Sequence, residues 1–393
     1  MTPPFHTHLL RSEIVAGPGA SAELASHSML QTSASPLVLA GPHVSRTPFF
    51  AGIVEHLRQA QRSPHVISSV PSPALHAPVE ALAAAHDTEH WDTIIAVGGG
   101  STLDTAKAVS LLVARGGAVR DHAIARTGAR RPELPQHAAF LPIVAIPTTF
   151  SGSEANMNAS IRNRDTGERY SLADPGLLPR LIVLDPAALA SQPRDLLLGS
   201  AFNALAHCIE GIYSTRHHVL ADAQAKAAGR LLCSVLERPE DPGESGLTQM
   251  QLASVMAGAL ITEVYVGLHH AMCHAVVSLC AVQHAQANGA LLPFTVDFNL
   301  RALASTQPDR VRAVAESLGV APEGDALDVA TACRRRLASL QESAGIPRRL
   351  SAVGVARDSL PALADYTLVD RALNTNPVAV ERTDLLALFE ESL

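Results

Sequence analysis

Lysine is almost missing from this chain: only Lys107 and Lys226 occur in 393 residues. A lysine-rich cradle for a sugar phosphate is therefore not on offer. No apolar run reaches membrane-spanning length, and the opening MTPPFHTHLLR has no signal-peptide core. A formal net charge of −7 supplies no electrostatic footprint for nucleic acid or an anionic membrane. An anionic substrate would need a local basic pocket. The five cysteines (208, 233, 273, 280 and 333) are odd in number and form no Cys-x-x-Cys pair. They suit a reduced, cytoplasmic setting and core packing rather than a disulfide scaffold. No internal repeat or low-complexity tail stands out.

What is present is a globular composition, 47% hydrophobic and 17% charged, over a length that suggests two domains. From Pro36 to about Asp185, strand-like and helix-like stretches alternate. Strands are expected at 37–40, 65–70, 93–97, 140–146 and 181–184, and helices at 48–61 and 79–86. This alternation predicts a doubly wound α/β domain, whose ligands sit at the carboxyl ends of the strands. Gly116 to Gln136, rich in Arg, Gly and Pro, reads as a surface excursion. After Asp185-Pro186 the chain turns Ala- and Leu-rich with helical spacing. An all-helical second domain is expected over 187–393, after an α/β domain over 1–186. Loops are expected at 239–246 and 322–325.

The densest signal is TIIAVGGGSTLDTAK, Thr93 to Lys107. A β-branched run stops at Gly98-Gly99-Gly100, and Ser101 with Asp104 three positions on makes a capping-box pattern that opens a helix. Bare glycine backbone at a helix N-terminus suits a phosphate. It equally suits a tight strand-to-helix turn. A second capping pattern, Ser151 and Glu154, lies in PTTFSGSE after the strand ending at Ile146 and reads as another helix start. Hydroxyls placed there suit a nicotinamide or pyrophosphate.

In the second domain, Asn203 and His207 are four apart, as are His270 and His274, so each pair shares a helix face. An i, i+4 histidine pair can grip a metal or flank a substrate. Eighteen histidines are scattered through the chain, and a histidine on an apolar helix is more often a satisfied core residue.

Gly-Gly-Gly-Ser-x-x-Asp-x-Ala-Lys resembles the dinucleotide loop of the iron-containing (group III) alcohol dehydrogenases, whose fold is shared with glycerol dehydrogenase and dehydroquinate synthase. The resemblance runs along most of the chain. It implies NAD(P)H bound by Gly98, Gly99, Gly100, Ser101, Asp104, Thr148, Thr149, Phe150 and Ser153. No carboxylate follows the early strand in Leu39-Ala40-Gly41-Pro42-His43, so NADH and NADPH both remain open. The family's metal ligands, an Asp and three His, match Asn203, His207, His270 and His284. His274 matches a residue read as a proton relay.

Asn203 departs from that pattern, since a neutral amide attracts Fe²⁺ or Zn²⁺ less than a carboxylate. Asn-Ala-x-Ala-His, Leu-His-His-x-x-Cys-His and the short PTTFSGSE spacing resemble the maleylacetate reductase branch, which implies no metal. His207, His270 and His274 are then the catalytic candidates, with Asn158 and Arg169 facing substrate. Asn158 instead follows the alcohol dehydrogenase pattern, and Val276 to Cys280 is altered where glycine is frequent in the family. The expectation is an NAD(P)H-dependent reductase of an unsaturated keto acid, a small carboxylic acid, working as a homodimer. An Fe- or Zn-dependent alcohol or aldehyde dehydrogenase is the alternative, and a lyase or non-redox homologue on the same scaffold is a third.

Overall fold

The computed structural model describes residues 12–124, 139–240 and 242–393. The expectations for the N-terminal eleven residues and for 125–136 of the surface excursion lie outside that set. The chain divides into two compact units between Gln192 and Pro193.

In the first unit the strands are β1 (Glu13–Ala16), β2 (Pro36–Ala40), β3 (His65–Ile67), β4 (Thr93–Gly98) and β5 (Ile143–Pro147), then β6 (Asn158–Arg162), β7 (Arg169–Ala173) and β8 (Leu181–Leu184). Helices α1 (Ser28–Gln31), α2 (Pro48–Gln59), α3 (His76–Glu89) and α4 (Gly100–Arg115) alternate with the early strands. Six strands form one parallel sheet in the order β1-β8-β5-β4-β2-β3. Every residue of β2, β4, β5 and β8 is buried, which explains their unbroken apolar runs. Side chains alternate across the sheet. Leu37, Leu39, Ile94, Ala96, Ile143 and Ala145 pack with α3 and α4, whereas Val38, Ala40, Ile95, Val97, Val144 and Ile146 pack with α2. The strand order reverses between β2 and β4, the crevice where doubly wound sheets bind ligands.

Two features depart from the sequence reading. The strands expected at 65–70 and 140–146 are shorter, 65–67 and 143–147. In addition, β6 and β7 form an unforeseen antiparallel hairpin, and β1 an unforeseen edge strand. β1 is a four-residue, mostly exposed strand, and β6 and β7 alternate polar with apolar residues, so none of them carries a long buried apolar run.

From Pro193 onward the second unit is built of helices joined by loops, with no strand among its described residues. Its α-helices are α5 (Arg194–Tyr213), α6 (Val219–Leu236), α7 (Gly243–Glu263), α8 (Leu268–Leu279) and α9 (His284–Thr306), then α10 (Pro308–Leu318), α11 (Ala326–Ala344), α12 (Leu360–Leu368) and α13 (Arg382–Ser392). By length and composition α5 is apolar enough to cross a membrane, yet 89% of its apolar window is buried inside the protein. The loop expected over 239–246 ends at Pro242, because proline and glycine are tolerated where a helix begins. The loop at 322–325 is present, and Asp325 caps α11 through Leu327 N at 2.9 Å.

All five cysteines are free, and four of them are buried. Burial pushes the Cys233 and Cys333 thiols up to about 12. The unfolded thiols ionise near the ordinary value of 9.0, while the folded ones keep their protons. Folding is therefore expected to lose up to about 1.4 kcal/mol per thiol for each pH unit above that value. Urea unfolding at pH 8 and pH 10 should show a smaller alkaline loss in a Cys233→Ala/Cys333→Ala variant than in the unaltered protein.

Candidate active site

The glycine loop is a strand-to-helix junction with Gly99 as the N-cap of α4. Gly98 is dictated by packing, since a Cβ there would stand 2.3 Å from Thr102 Oγ1. Gly99 and Gly100 are dictated by the facing loop. Their added Cβ atoms would lie 3.0 Å from Thr149 Oγ1 and 3.6 Å from Ser151 Cβ. Thr148 N donates to Gly98 O at 3.1 Å, which ties the second loop to the first. The amides of Gly100 and Ser101 lie in the first turn of α4, where a helix provides no internal acceptor and its dipole favours an anion. The expected Gly98, Gly99, Gly100, Ser101, Thr148, Thr149 and Ser153 thus belong to two loops that face each other.

The two capping boxes are not formed. The helix begins at Gly100, one residue before Ser101, and no side chain caps it. Ser101 Oγ instead pairs with Ser72 Oγ at 3.1 Å. Asp104 accepts from Ser153 Oγ at 3.0 Å and from Ser160 N at 3.2 Å. At the second pattern Gly152, with φ of 72°, turns the chain, and only a three-residue helical turn, Ser153–Ala155, forms before β6. Phe150 is 1% exposed and belongs to the core rather than to an open face.

Beneath the loops lies Lys107, with no exposed surface. Its Nζ donates to Ser153 O at 2.6 Å, Asn158 O at 2.8 Å, Asn156 Oδ1 at 3.2 Å and Ser153 Oγ at 3.4 Å. Burial lowers its pKa to about 8, opposed by Asp104 and Glu154. Burial likewise raises Asp104, with Lys107 opposing.

Asn158 and Arg169, expected to share a substrate, are not brought together. Asn158 pairs with Ala173 and Arg169 with Arg162, at opposite ends of the hairpin and so about 13 Å apart. Arg169 Nε donates to Ser160 Oγ at 2.5 Å.

In the helical unit the predicted histidines do converge. Asn203, His207 and Glu210 are on α5, His270 and His274 on α8, and His284 opens α9. The His207 and His270 rings stack at 4.6 Å with an 18° interplanar angle. His284 lies 6.1 Å from His270 and 6.4 Å from His274, centroid to centroid. Helix α8 starts at Gly267 without a cap of its own. Glu210 Oε1 accepts from His269 N at 2.8 Å and Asn376 Oδ1 accepts from Leu268 N at 3.1 Å. A Cβ on Gly267 would stand 2.9 Å from Asn376 Oδ1 and 3.2 Å from Glu210 Oε1, so glycine lets both oxygens reach the helix. Glu210 Oε2 also holds His270 Nδ1.

Burial raises the Glu210 carboxyl, opposed by His269, and drives His207 well below the ordinary imidazole value, aided by His270 and His269. His269 is a satisfied core residue, bonded to Asn288 at 2.6 Å and Thr295 at 3.2 Å. Asp370 Oδ2 faces His274 Nδ1 at 3.0 Å. The sequence reading assigned no role to Glu210 or Asp370. Glu210 lies three residues beyond His207 on the same helix, a spacing that could have flagged it. Asp370, 96 residues from His274, leaves no such trace.

Asn203 Oδ1 and His207 Nδ1 are buried and have no hydrogen-bond partner among the described residues. Imidazole lone pairs lie in the ring plane, and with the His207 and His270 rings stacked theirs do not converge on one ion; holding a metal at about 2.1 Å would require the rings to turn.

A doubly wound sheet with a glycine loop at its switch point, followed by a helical unit bearing clustered histidines, defines an oxidoreductase of the alcohol dehydrogenase class. The profile for "Iron-containing alcohol dehydrogenase" matches residues 11–186, and that for the "Fe-containing alcohol dehydrogenase family, C-terminal" matches 198–393. The chain belongs to the iron-containing alcohol dehydrogenase family. It is 29% identical over 311 residues to the NAD-dependent methanol dehydrogenase of Bacillus methanolicus, covering 78% of each chain. It is 28% identical over 322 residues to the lactaldehyde reductase of Escherichia coli K12, covering 81% of each. A solved structure of 1,3-propanediol oxidoreductase superposes with a TM-score of 0.91 at 25% identity, over 99% of this chain and all of the other.

Lys107→Met keeps the chain's bulk but strips four acceptors of their shared donor. Removing one partner from a buried charged network typically costs about 3–5 kcal/mol. Urea unfolding should show a loss of that size, and a loss below about 1 kcal/mol would mean the lysine is not what holds the 148–158 loop.

Proposed function

We propose that this protein is an NAD(P)H-dependent reductase of a small carbonyl compound, and that its substrate is an unsaturated keto acid, as in a maleylacetate reductase. The observation that carries the finer reading is the histidine cluster itself. Asn203 stands where a carboxylate ligand would be, and His207 stacks on His270 instead of turning towards a shared ion.

NAD(P)H, when bound, supplies the hydride. The amides of Gly100 and Ser101 suit its pyrophosphate, with the hydroxyls of Thr148 and Thr149 beside them. His207, and His270 and His274 when protonated on Nε2 as well, provide donors for the oxygen that becomes an enolate as its conjugated carbon accepts the hydride. Donors fixed in a buried site usually contribute the largest electrostatic term. One imidazole also returns a proton to the product.

A metal-dependent alcohol dehydrogenase is the second reading, favoured by relatives named for methanol, lactaldehyde and 1,3-propanediol. It would require the His207 and His270 rings to unstack. Oxidation of NADH and NADPH, followed across unsaturated keto acids and small aldehydes, separates the two. Reduction of aldehydes alone would overturn the keto-acid reading.

Gly99→Val should weaken cofactor binding about a hundredfold or more, because its side chain enters the volume between the loop amides and Thr149. Cofactor titration and thermal unfolding of the same sample check this. Unchanged affinity in a folded variant would make the loop only a turn.

Asn203→Asp puts an anionic oxygen one helical turn from His207, so retained Fe²⁺ or Zn²⁺ should rise sharply. Its fixed charge also opposes the developing enolate, so reduction of the keto acid should fall. Metal analysis paired with initial rates reads both. A gain of metal with undiminished reduction would contradict the oxyanion role given to the histidines.

A further inference from the structure

We propose that Asp370 is the positioning residue of His274, holding its ring as the Nδ1–H tautomer so that Nε2 is the atom that exchanges a proton with substrate. The inference rests on the reading of His274 as a proton-handling residue in a reductase.

Asp370 Oδ2 lies 3.0 Å from His274 Nδ1, and the aspartate side chain is 9% exposed. A carboxylate accepts only, so this contact places a proton on Nδ1 and the lone pair on Nε2. The carboxylate is itself fixed. Its Oδ1 accepts from Ala372 N at 2.9 Å and caps the helical turn Arg371–Thr375. Thr375 Oγ1 in that turn donates to Ala372 O at 3.2 Å and to Val266 O, just ahead of α8. The aspartate therefore comes from an anchored turn rather than a free surface side chain.

The arrangement parallels the one a helical turn earlier, where Glu210 holds His270 Nδ1. Helix α8 thus carries two imidazoles four residues apart, each with Nδ1 on a carboxylate from a different element. The two are not equivalent. The His270 side chain is 5% exposed and packed under His207, whereas that of His274 is 17% exposed. His274 has the better access to solvent for refilling a proton. Before the step the Nδ1–H ring takes a second proton on Nε2 from solvent and becomes an imidazolium. Hydride then adds to carbon, the electron pair of the broken π bond moves to oxygen, and the Nε2 proton passes to that oxygen, leaving the neutral Nδ1–H ring. The carboxylate does not change protonation.

Asp370→Asn separates positioning from support. The amide oxygen still accepts from Ala372 N, but the amide nitrogen donates towards Nδ1 and forces the Nε2–H tautomer. Histidine-selective ¹⁵N spectra of the intact protein, with His274 assigned by its absence in His274→Gln, read the tautomer without any substrate. The expected result is Nδ1–H in the unaltered protein and Nε2–H in Asp370→Asn, at unchanged melting temperature. With NADH and the best keto acid or aldehyde of the panel, kcat should fall about a hundredfold or more while KM holds. Asp370→Glu should recover part of it. An unaltered protein already in the Nε2–H form, or a tautomer indifferent to Asp370→Asn, overturns the proposal. Absence of NADH oxidation by the unaltered protein would instead sink the reductase reading, with the tautomer result standing.

Discussion

Glu210 is the contact on which the arrangement of the helical unit's histidines depends. Its carboxylate is completely buried on α5, a position that would be costly without strong partners. It finds them at the start of α8, whose first-turn amides need acceptors and whose dipole favours a negative charge. One oxygen serves as the cap that the helix's own sequence lacks, and the other fixes His270. A single side chain thereby sets where α8 begins and how its first functional ring is turned. The glycine at 267 belongs to the same device, because a side chain there would keep the carboxylate away.

The nucleotide unit uses the same economy with the opposite charge. Lys107 and Asp104, on one face of α4, do not reach outwards to a phosphate. They reach inwards and gather the loop 148–158 and the first residues of β6 around the helix. The glycine loop can then be bare backbone, because its shape is held from beneath. Each unit thus places a buried ionic group directly behind its candidate binding residues. Second-layer contacts of this kind orient the groups in front of them.

The parallel strands were legible because burial on both faces leaves an uninterrupted apolar run, as in Thr93 to Gly98. The hairpin was not, because Asn158–Arg162 and Arg169–Ala173 keep one face near solvent and bury only single apolar residues on the other, too short an alternation to stand out. The histidine pairs were legible because four-residue spacing on a helix is geometry. The capping boxes misled for a related reason. Ser-x-x-acid marks a helix start only if the serine sits just outside it, and here Gly99 takes that place, freeing Asp104 for the hairpin. Partners from distant sequence, such as Asp370 for His274 and Asn376 for α8, depend on tertiary packing that no local pattern encodes.

The central claim is that imidazoles held by buried carboxylates, rather than a metal ion, stabilise the oxygen during reduction. The most direct measurement is the single-turnover rate of NADH oxidation by protein dialysed against chelator, with metal content determined on the same sample. The account predicts that an unsaturated keto acid is reduced at an undiminished rate when metal is far below one equivalent. A rate that collapses on stripping, and returns in proportion to added Fe²⁺ or Zn²⁺, would contradict it.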